Sequence, residues 1–180
     1  MEDLSLHILD IVENSIAAGA NRVEIRVIED TRKDILSVEI RDNGKGMSEE
    51  VLENAVDPFY TTRTTRRVGL GLSLLSQSAK EAEGEMTIKS KEDEGTTIYA
   101  YFKHSHIDRK PIGNMAETLI VLIAGNPDID FLYEHRLNNR AYSINTKDIR
   151  EELGDVPLSS PGVIEVIRKD IRNGLKILSS

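Results

Sequence analysis

Cysteine and tryptophan are both missing from this chain of 180 residues, and phenylalanine and tyrosine bring the aromatics to only 4%. Without a thiol the chain can form no disulfide, thiolate zinc site, cysteine nucleophile or iron–sulfur ligation, which fits a reducing cytosol. Aliphatic side chains must build the core. At 39% hydrophobic and 30% charged residues there are enough of them for a folded unit. Positive charge is the minority, with 23 Lys and Arg against 31 Asp and Glu and a net charge of −8. A general long-range attraction to nucleic acid or anionic lipid is thereby excluded, and an anionic ligand must be held by local groups. No apolar run is long enough to span a membrane, and Met1-Glu2-Asp3 puts no basic stretch ahead of an apolar one. The expectation is a cytoplasmic protein with neither membrane nor nucleic acid among its partners.

The length suits one domain, or a compact domain with a small appendage. The pattern changes near residue 104, so residues 1–104 are expected to form the main domain and 105–180 a C-terminal extension joined at Lys110-Pro111-Ile112-Gly113. In the first part Leu4, Ile8, Ile11 and Ser15, with Leu9, Val12 and Ile16, recur at helical spacing up to Gly19. Val23, Ile25, Val27 and Ile35, Val38, Ile40 predict strands around a polar Glu29–Asp34 turn, and Ser48 leads a short helix. The Asp57–Val68 stretch is expected as loop. Helical spacing returns from Leu70 to Ala82, and Met86–Ser90 and Thr96–Phe102 alternate as a hairpin. In the extension, Asn114 with Glu117 predicts a capped helix ending at Gly125, Phe131–Arg136 and Arg140–Ile144 a hairpin, and Thr146–Leu153 and Pro161–Asn173 two helices.

Four separated pieces of the first part carry chemistry. Asp10 and Asn14 lie four apart on one helix face, either as a carboxylate that orients water beside an amide oxygen for Mg²⁺, or as a solvated face. Asp42-Asn43-Gly44-Lys45-Gly46-Met47 follows an apolar strand; its glycines allow close backbone approach, its aspartate can accept from an exocyclic amine, and the same letters also spell a turn. Gly69-Leu70-Gly71-Leu72-Ser73 opens a helix whose free N–H groups can cradle phosphates, or is a tight helix entry. Gly95-Thr96-Thr97 stands at the start of a strand.

In this order and at these separations the four pieces resemble the GHKL (Bergerat-fold) ATPases, which include gyrase B, the mismatch-repair ATPase, the heat-shock chaperone ATPase and the histidine kinases. Ile11-Val12-Glu13-Asn14-Ser15-Ile16 with Ala18-Gly19-Ala20 is similar to the mismatch-repair branch, and Asp57-Pro58-Phe59-Tyr60-Thr61-Thr62-Arg63 leading to Gly69-Leu70-Gly71-Leu72 to the histidine-kinase branch. The resemblance covers roughly residues 4 to 102. It implies an α+β fold, a two-layer α/β sandwich of Bergerat type whose mixed sheet is covered on one face by helices, with the extension as a small α/β unit. It also implies ATP and Mg²⁺ as ligands. Asn14 would hold the metal and Asp42 the adenine amino group. Gly44 and Gly46, with Met47 beside them, would floor the purine pocket, and Thr96 would reach adenine through its hydroxyl. Gly69, Leu70, Gly71 and Leu72 would take the phosphates, and Thr62 and Arg63 would belong to the lid over ATP.

The departures bear on function. Hydrolytic members place a glutamate where this chain has Asp10, one methylene shorter, which makes Asp10 the candidate base. Arg67-Val68 stands where the kinase-like glycine box begins with Gly-Thr, and Arg63, Arg66 and Arg67 gather positive charge in the same stretch. His7 either orients Asp10 or is a core histidine. The helical hairpin and His-Glu pair of a complete histidine kinase are missing from this sequence, so the expectation is a stand-alone ATP- and Mg²⁺-binding module. It would be a slow ATPase or a nucleotide-dependent switch acting on a protein partner through the extension. Two alternatives stand beside it: a serine/threonine kinase of anti-sigma type acting in trans, and a non-catalytic regulatory subunit of a hydrogenase-like redox complex.

Overall fold

The computed structural model describes residues 3–56 and 70–180. The expected loop over 57–68, and with it Thr62, Arg63, Arg66 and Arg67, lies outside the described residues, as does Gly69.

Helix α1 (Leu4–Ala17) buries Leu4, Ile8, Ile11 and Val12 along one stripe. Each such side chain contributes about 1.5–3 kcal/mol relative to exposure. Two amides of its first turn, which no helix can satisfy internally, donate to the Pro111 and Ile112 carbonyls at 3.0 and 2.8 Å. The chain leaves the helix through Gly19 at φ +83°. Strands β1 (Arg22–Asp30) and β2 (Ile35–Asp42) then form an antiparallel pair in which Ile25 faces Ile40 and Val27 faces Val38. Helix α2 (Glu49–Glu53) is capped by the Ser48 hydroxyl, which accepts from the Val51 amide. Helix α3 (Leu70–Glu81) leads into the hairpin of β3 (Glu85–Lys91) and β4 (Gly95–Lys103). After α4 (Met115–Gly125) come β5 (Asp130–Leu137), β6 (Arg140–Asn145), α5 (Thr146–Leu153) and α6 (Pro161–Ser179).

All six strands join one mixed sheet in the order β3-β4-β2-β1-β5-β6, with β5 parallel to β1 and every other pair antiparallel. The pattern of the sequence changes near 104, but the sheet runs across it. Side chains at alternate positions, Val23, Ile25 and Val27 with Ile40, Ile98, Phe131 and Tyr133 among them, face the helical layer and are buried. Helices α1, α3, α4 and α6 supply that layer, and the result is the α+β sandwich with a mixed sheet that the family resemblance implies.

The structure departs from expectation at α6, which continues five residues past Gly174 instead of stopping before it. A glycine near the end of an apolar pattern resembles a cap, but here its lack of a side chain admits the Tyr142 ring, into which a Cβ on Gly174 would run. The predicted cap on α4 is half of a capping box. The Asn114 side chain accepts from the Glu117 amide at 3.1 Å, whereas the Glu117 carboxylate turns away to Arg168 and Arg172. Those two guanidiniums hold the Glu117 carboxyl below its ordinary range.

At the end of the sheet where β1 stops, a half-buried chain of polar groups joins three distant segments. The Glu29 carboxylate meets His135 Nε2 at 2.8 Å and His104 Nε2 at 2.9 Å, and His135 Nδ1 meets the Tyr133 hydroxyl at 2.9 Å. Burial pushes the Glu29 carboxyl up, but the hydrogen bonds from both histidines outweigh it and hold the group below the ordinary value. Burial, reinforced by the Glu29 charge, pushes the Tyr133 hydroxyl far up, so it stays protonated.

Candidate functional site

Strand β2 ends at Asp42, whose side chain faces the helical layer and is 9% exposed. Its two oxygens are held separately: Ser15 of α1 donates its hydroxyl to Oδ2 at 2.7 Å, and the Gly44 amide donates to Oδ1 at 2.9 Å. The Ile11 carbonyl, 3.3 Å from the same hydroxyl, is the weaker acceptor by distance. A carboxylate has about four acceptor positions, so Asp42 keeps capacity for further donors.

Glycine makes the surroundings of Asp42 possible. A Cβ on Gly44 would stand 3.0 Å from the Ala18 carbonyl and 3.2 Å from Asp42 Oδ1, so the loop after β2 lies tight against the end of α1. Gly95, at φ +94°, presses its backbone against the Asp42 carbonyl, and Gly46, at φ +68°, sits against the Lys91 carbonyl. Thr96 is the register partner of Asp42 on β4 and of Ser90 on β3. The Ser90 hydroxyl gathers this corner: it lies 2.8 Å from Thr96 Oγ1 and 3.1 Å from the Gly95 carbonyl, and it accepts from the Met47 amide at 2.8 Å.

Asp10 and Asn14 lie half-buried on α1. Across from them α3 begins at Leu70, and Gly71 packs so closely on α1 that its Cβ would stand 3.0 Å from Asp10 Cβ. The first amides of that helix have no intrahelical acceptor and carry the positive end of its dipole. Leu72 is nearly buried and Leu70 is 42% exposed. Thus Asp10 meets Gly71, while Asp42, Gly44, Gly46, Met47 and Thr96 form one corner tied to α1 through Ser15. His7 is buried in α1. Thr62, Arg63 and Gly69 lie outside the described residues.

Ser15 and Ser90 are the residues that sequence reasoning missed. The available signal was Ser15 itself, a hydroxyl on the apolar stripe of α1 that has to find an acceptor when buried. Nothing local marks Ser90, since an alternating hairpin strand tolerates serine anywhere.

Among the described residues no group of three or more His, Asp or Glu side chains converges to hold a metal. Asn14, half-buried on α1 one turn from Asp10, offers one amide oxygen, a donor of the type Mg²⁺ takes alongside phosphate oxygens and waters. Among the described residues no helix is long and apolar enough to cross a membrane.

Residues 2–106, more than half of the chain, match the family model for histidine kinase-, DNA gyrase B- and HSP90-like ATPases. Among curated proteins, the chain is 30% identical over 98 residues to the sensor histidine kinase YvrG of Bacillus subtilis, covering 52% of this chain and 17% of that protein. It is 33% identical over 92 residues to sporulation kinase E of the same organism, covering 51% of this chain and 12% of the relative. The chain spans less than a fifth of the length of the curated relatives it matches. Among solved structures, the N-terminal domain of a DNA repair protein superposes with a TM-score of 0.54 at 19% identity, covering 81% of this chain and 52% of that one, which is a likeness of fold. By the extent of the family match, this chain belongs to the histidine kinase-, DNA gyrase B- and HSP90-like ATPases and carries their ATP-binding module.

Proposed function

We propose that the protein binds ATP together with Mg²⁺ and hydrolyses it slowly or uses it as a switch on a protein partner, with residues 105–180 as the unit that meets the partner. Asp42 accepts from the adenine amino group while Ser15 and Gly44 keep its carboxylate oriented. Gly44, Gly46 and Met47 floor the purine pocket, and Thr96 offers its hydroxyl. The first-turn amides of Leu70, Gly71 and Leu72 take phosphate oxygens, with Gly69 preceding them and Thr62 and Arg63 in the lid. Asn14 offers its amide oxygen to Mg²⁺, which when bound supplies charge neutralisation on the phosphates. Asp10 is the candidate base toward the attacking group, and the reaction relies on positioning and charge.

The observation that carries this reading is the Asp42 carboxylate, buried at a glycine-lined strand end and held by Ser15 and Gly44 with acceptor capacity to spare. A second reading, phosphoryl transfer from ATP to a hydroxyl of a partner protein with Asp10 accepting the proton, is favoured by the match to sensor and sporulation kinases. Incubation with ATP labelled at the γ-phosphate separates the outcomes. Free phosphate means hydrolysis, label on a second protein means transfer, and bound ATP with neither means a switch. Failure to bind ATP at all overturns both readings.

A further inference from the structure

The face of the sheet turned away from the helices carries a groove that touches the nucleotide reading only at one end, where Asp42 and Thr96 line it. Its residues line up by register across four strands. Glu24, Arg41, Thr97 and Lys89 form one row, and Arg26, Glu39, Tyr99 and Thr87 form the next. At the end nearest Asp42 the face hollows into a cavity of about 440 Å³, whose charged lining is Arg22, Arg41, Lys89 and Lys91 against Glu24, Glu94 and Asp42 itself. Four cations face three carboxylates in a chain of net charge −8, so the groove carries a small local excess of positive charge against the molecule's sign.

Not all of that charge is neutralised internally. Arg22 pairs with Glu24 at 2.8 Å and Lys91 with Glu94 at 3.6 Å, both exposed pairs worth little in water. Arg41 reaches Glu39 only at 3.9 Å, and Lys89, exposed on β3, enters no ion pair among the described residues. Beyond the cations on the same face stand Tyr99 and Tyr101, 37% and 36% exposed, with ring centroids 6.3 Å apart. Tyrosine and arginine together are the side chains over-represented at protein contact surfaces. The hollow is open and lacks large apolar lining, which suits an extended chain crossing the strands better than an enclosed small molecule.

From this charge complementarity the geometry points to the groove as the docking site for an acidic segment of a protein partner, laid over Lys89 and Lys91 and running toward Tyr99 and Tyr101. Lys89, Lys91 and the tyrosines lie on the opposite face of the sheet from Asp10 and Asn14, and the site meets the nucleotide reading only at Asp42 and Thr96, so the test is run without nucleotide.

The test uses the whole chain and a fluorescently labelled oligoglutamate peptide, with binding read by anisotropy at low and high salt. The wild type should bind at low salt and release as salt screens the charges. The Lys89→Glu, Lys91→Glu double variant should lose affinity at least about tenfold. A control with the same change in net charge, Lys147→Glu with Lys169→Glu on exposed positions of α5 and α6, should keep most of it. Unchanged melting curves for both variants would tie the loss to the groove. Absence of binding by the wild type, or equal losses in the two double variants, would overturn the proposal. So would single-stranded DNA or inorganic phosphate occupying the groove more tightly than the peptide.

Discussion

Two carboxylates face the helical layer at opposite ends of the sheet, and they are held in opposite ways. Asp42, at the end of β2, takes one hydrogen bond from a loop amide two residues away and one from the Ser15 hydroxyl, both neutral donors. Glu29, near the end of β1, is gripped by two imidazoles that arrive from 75 and 106 residues along the chain. Around Asp42, Gly44 comes up against the carboxylate and Gly95 against the carbonyl, and the two neutral donors leave acceptor positions unused. Around Glu29 the rings of His104 and His135, with Tyr133 behind, take both oxygens. Spare acceptor capacity makes the first the candidate for a ligand. The second closes the fold by tying β1 to β5 and to the residue that follows β4.

The comparison breaks most sharply at Gly95. A side chain there meets the Asp42 carbonyl and a positive φ, so Gly95→Ala should cost about 3 kcal/mol of stability and weaken nucleotide binding with it. Urea unfolding together with ATP titration checks both. Asp42→Asn should leave the fold nearly intact and cost about 1–3 kcal/mol in ATP affinity, because an amide presents the wrong group to the adenine amine. An unchanged calorimetric affinity would remove Asp42 from the pocket. Asn14→Ala should abolish the dependence of ATP binding on Mg²⁺, read by titrating with and without the metal.

At the other end, Glu29→Gln should cost about 1–3 kcal/mol of stability and leave ATP affinity alone. The sign of its pH dependence follows from the direction of its shift. The Glu29 carboxyl is lowered in the fold from an ordinary 4.5, so the stability it contributes is full above that value. It is lost as the pH falls through the lower folded one. Urea midpoints followed downward from neutral pH should therefore fall more for the wild type than for Glu29→Gln. Smallest of these, Ser15→Ala should weaken ATP binding by about 0.5–1.5 kcal/mol, since Asp42 keeps its bond from Gly44.

Much of this was legible in the residues because each feature has a local cause. The apolar stripe of α1, the Ser48 and Asn114 caps, and the strands flanking the Glu29–Asp34 and Glu92–Glu94 turns rest on spacing and turn chemistry alone, and the structure carries them within a residue or two, with β1 running on through Glu29 and Asp30. The end of α6 was misread because a glycine that admits a distant tyrosine ring is spelled the same way as one that ends a helix. Nothing in a strand pattern tells β5 to run parallel beside β1, since that choice depends on which edge is free once β2 has paired. For the same reason the Glu29 chain could not be read, its members being scattered over 29, 104, 133 and 135. In the site, the order of the four pieces pointed to one family, whereas Ser15 and Ser90 became visible only through the oxygen atoms they meet.

The central claim is that Asp42 reads adenine at a corner closed by Ser15 and the strand-end glycines. A crystal structure with a non-hydrolysable ATP analogue and Mg²⁺ tests it most directly. The account predicts the exocyclic amine on the Asp42 carboxylate, the metal at Asn14 and the phosphates on the amides of Leu70, Gly71 and Leu72. A base lodged elsewhere, for example in the groove beneath Lys89 on the far face of the sheet, would contradict it.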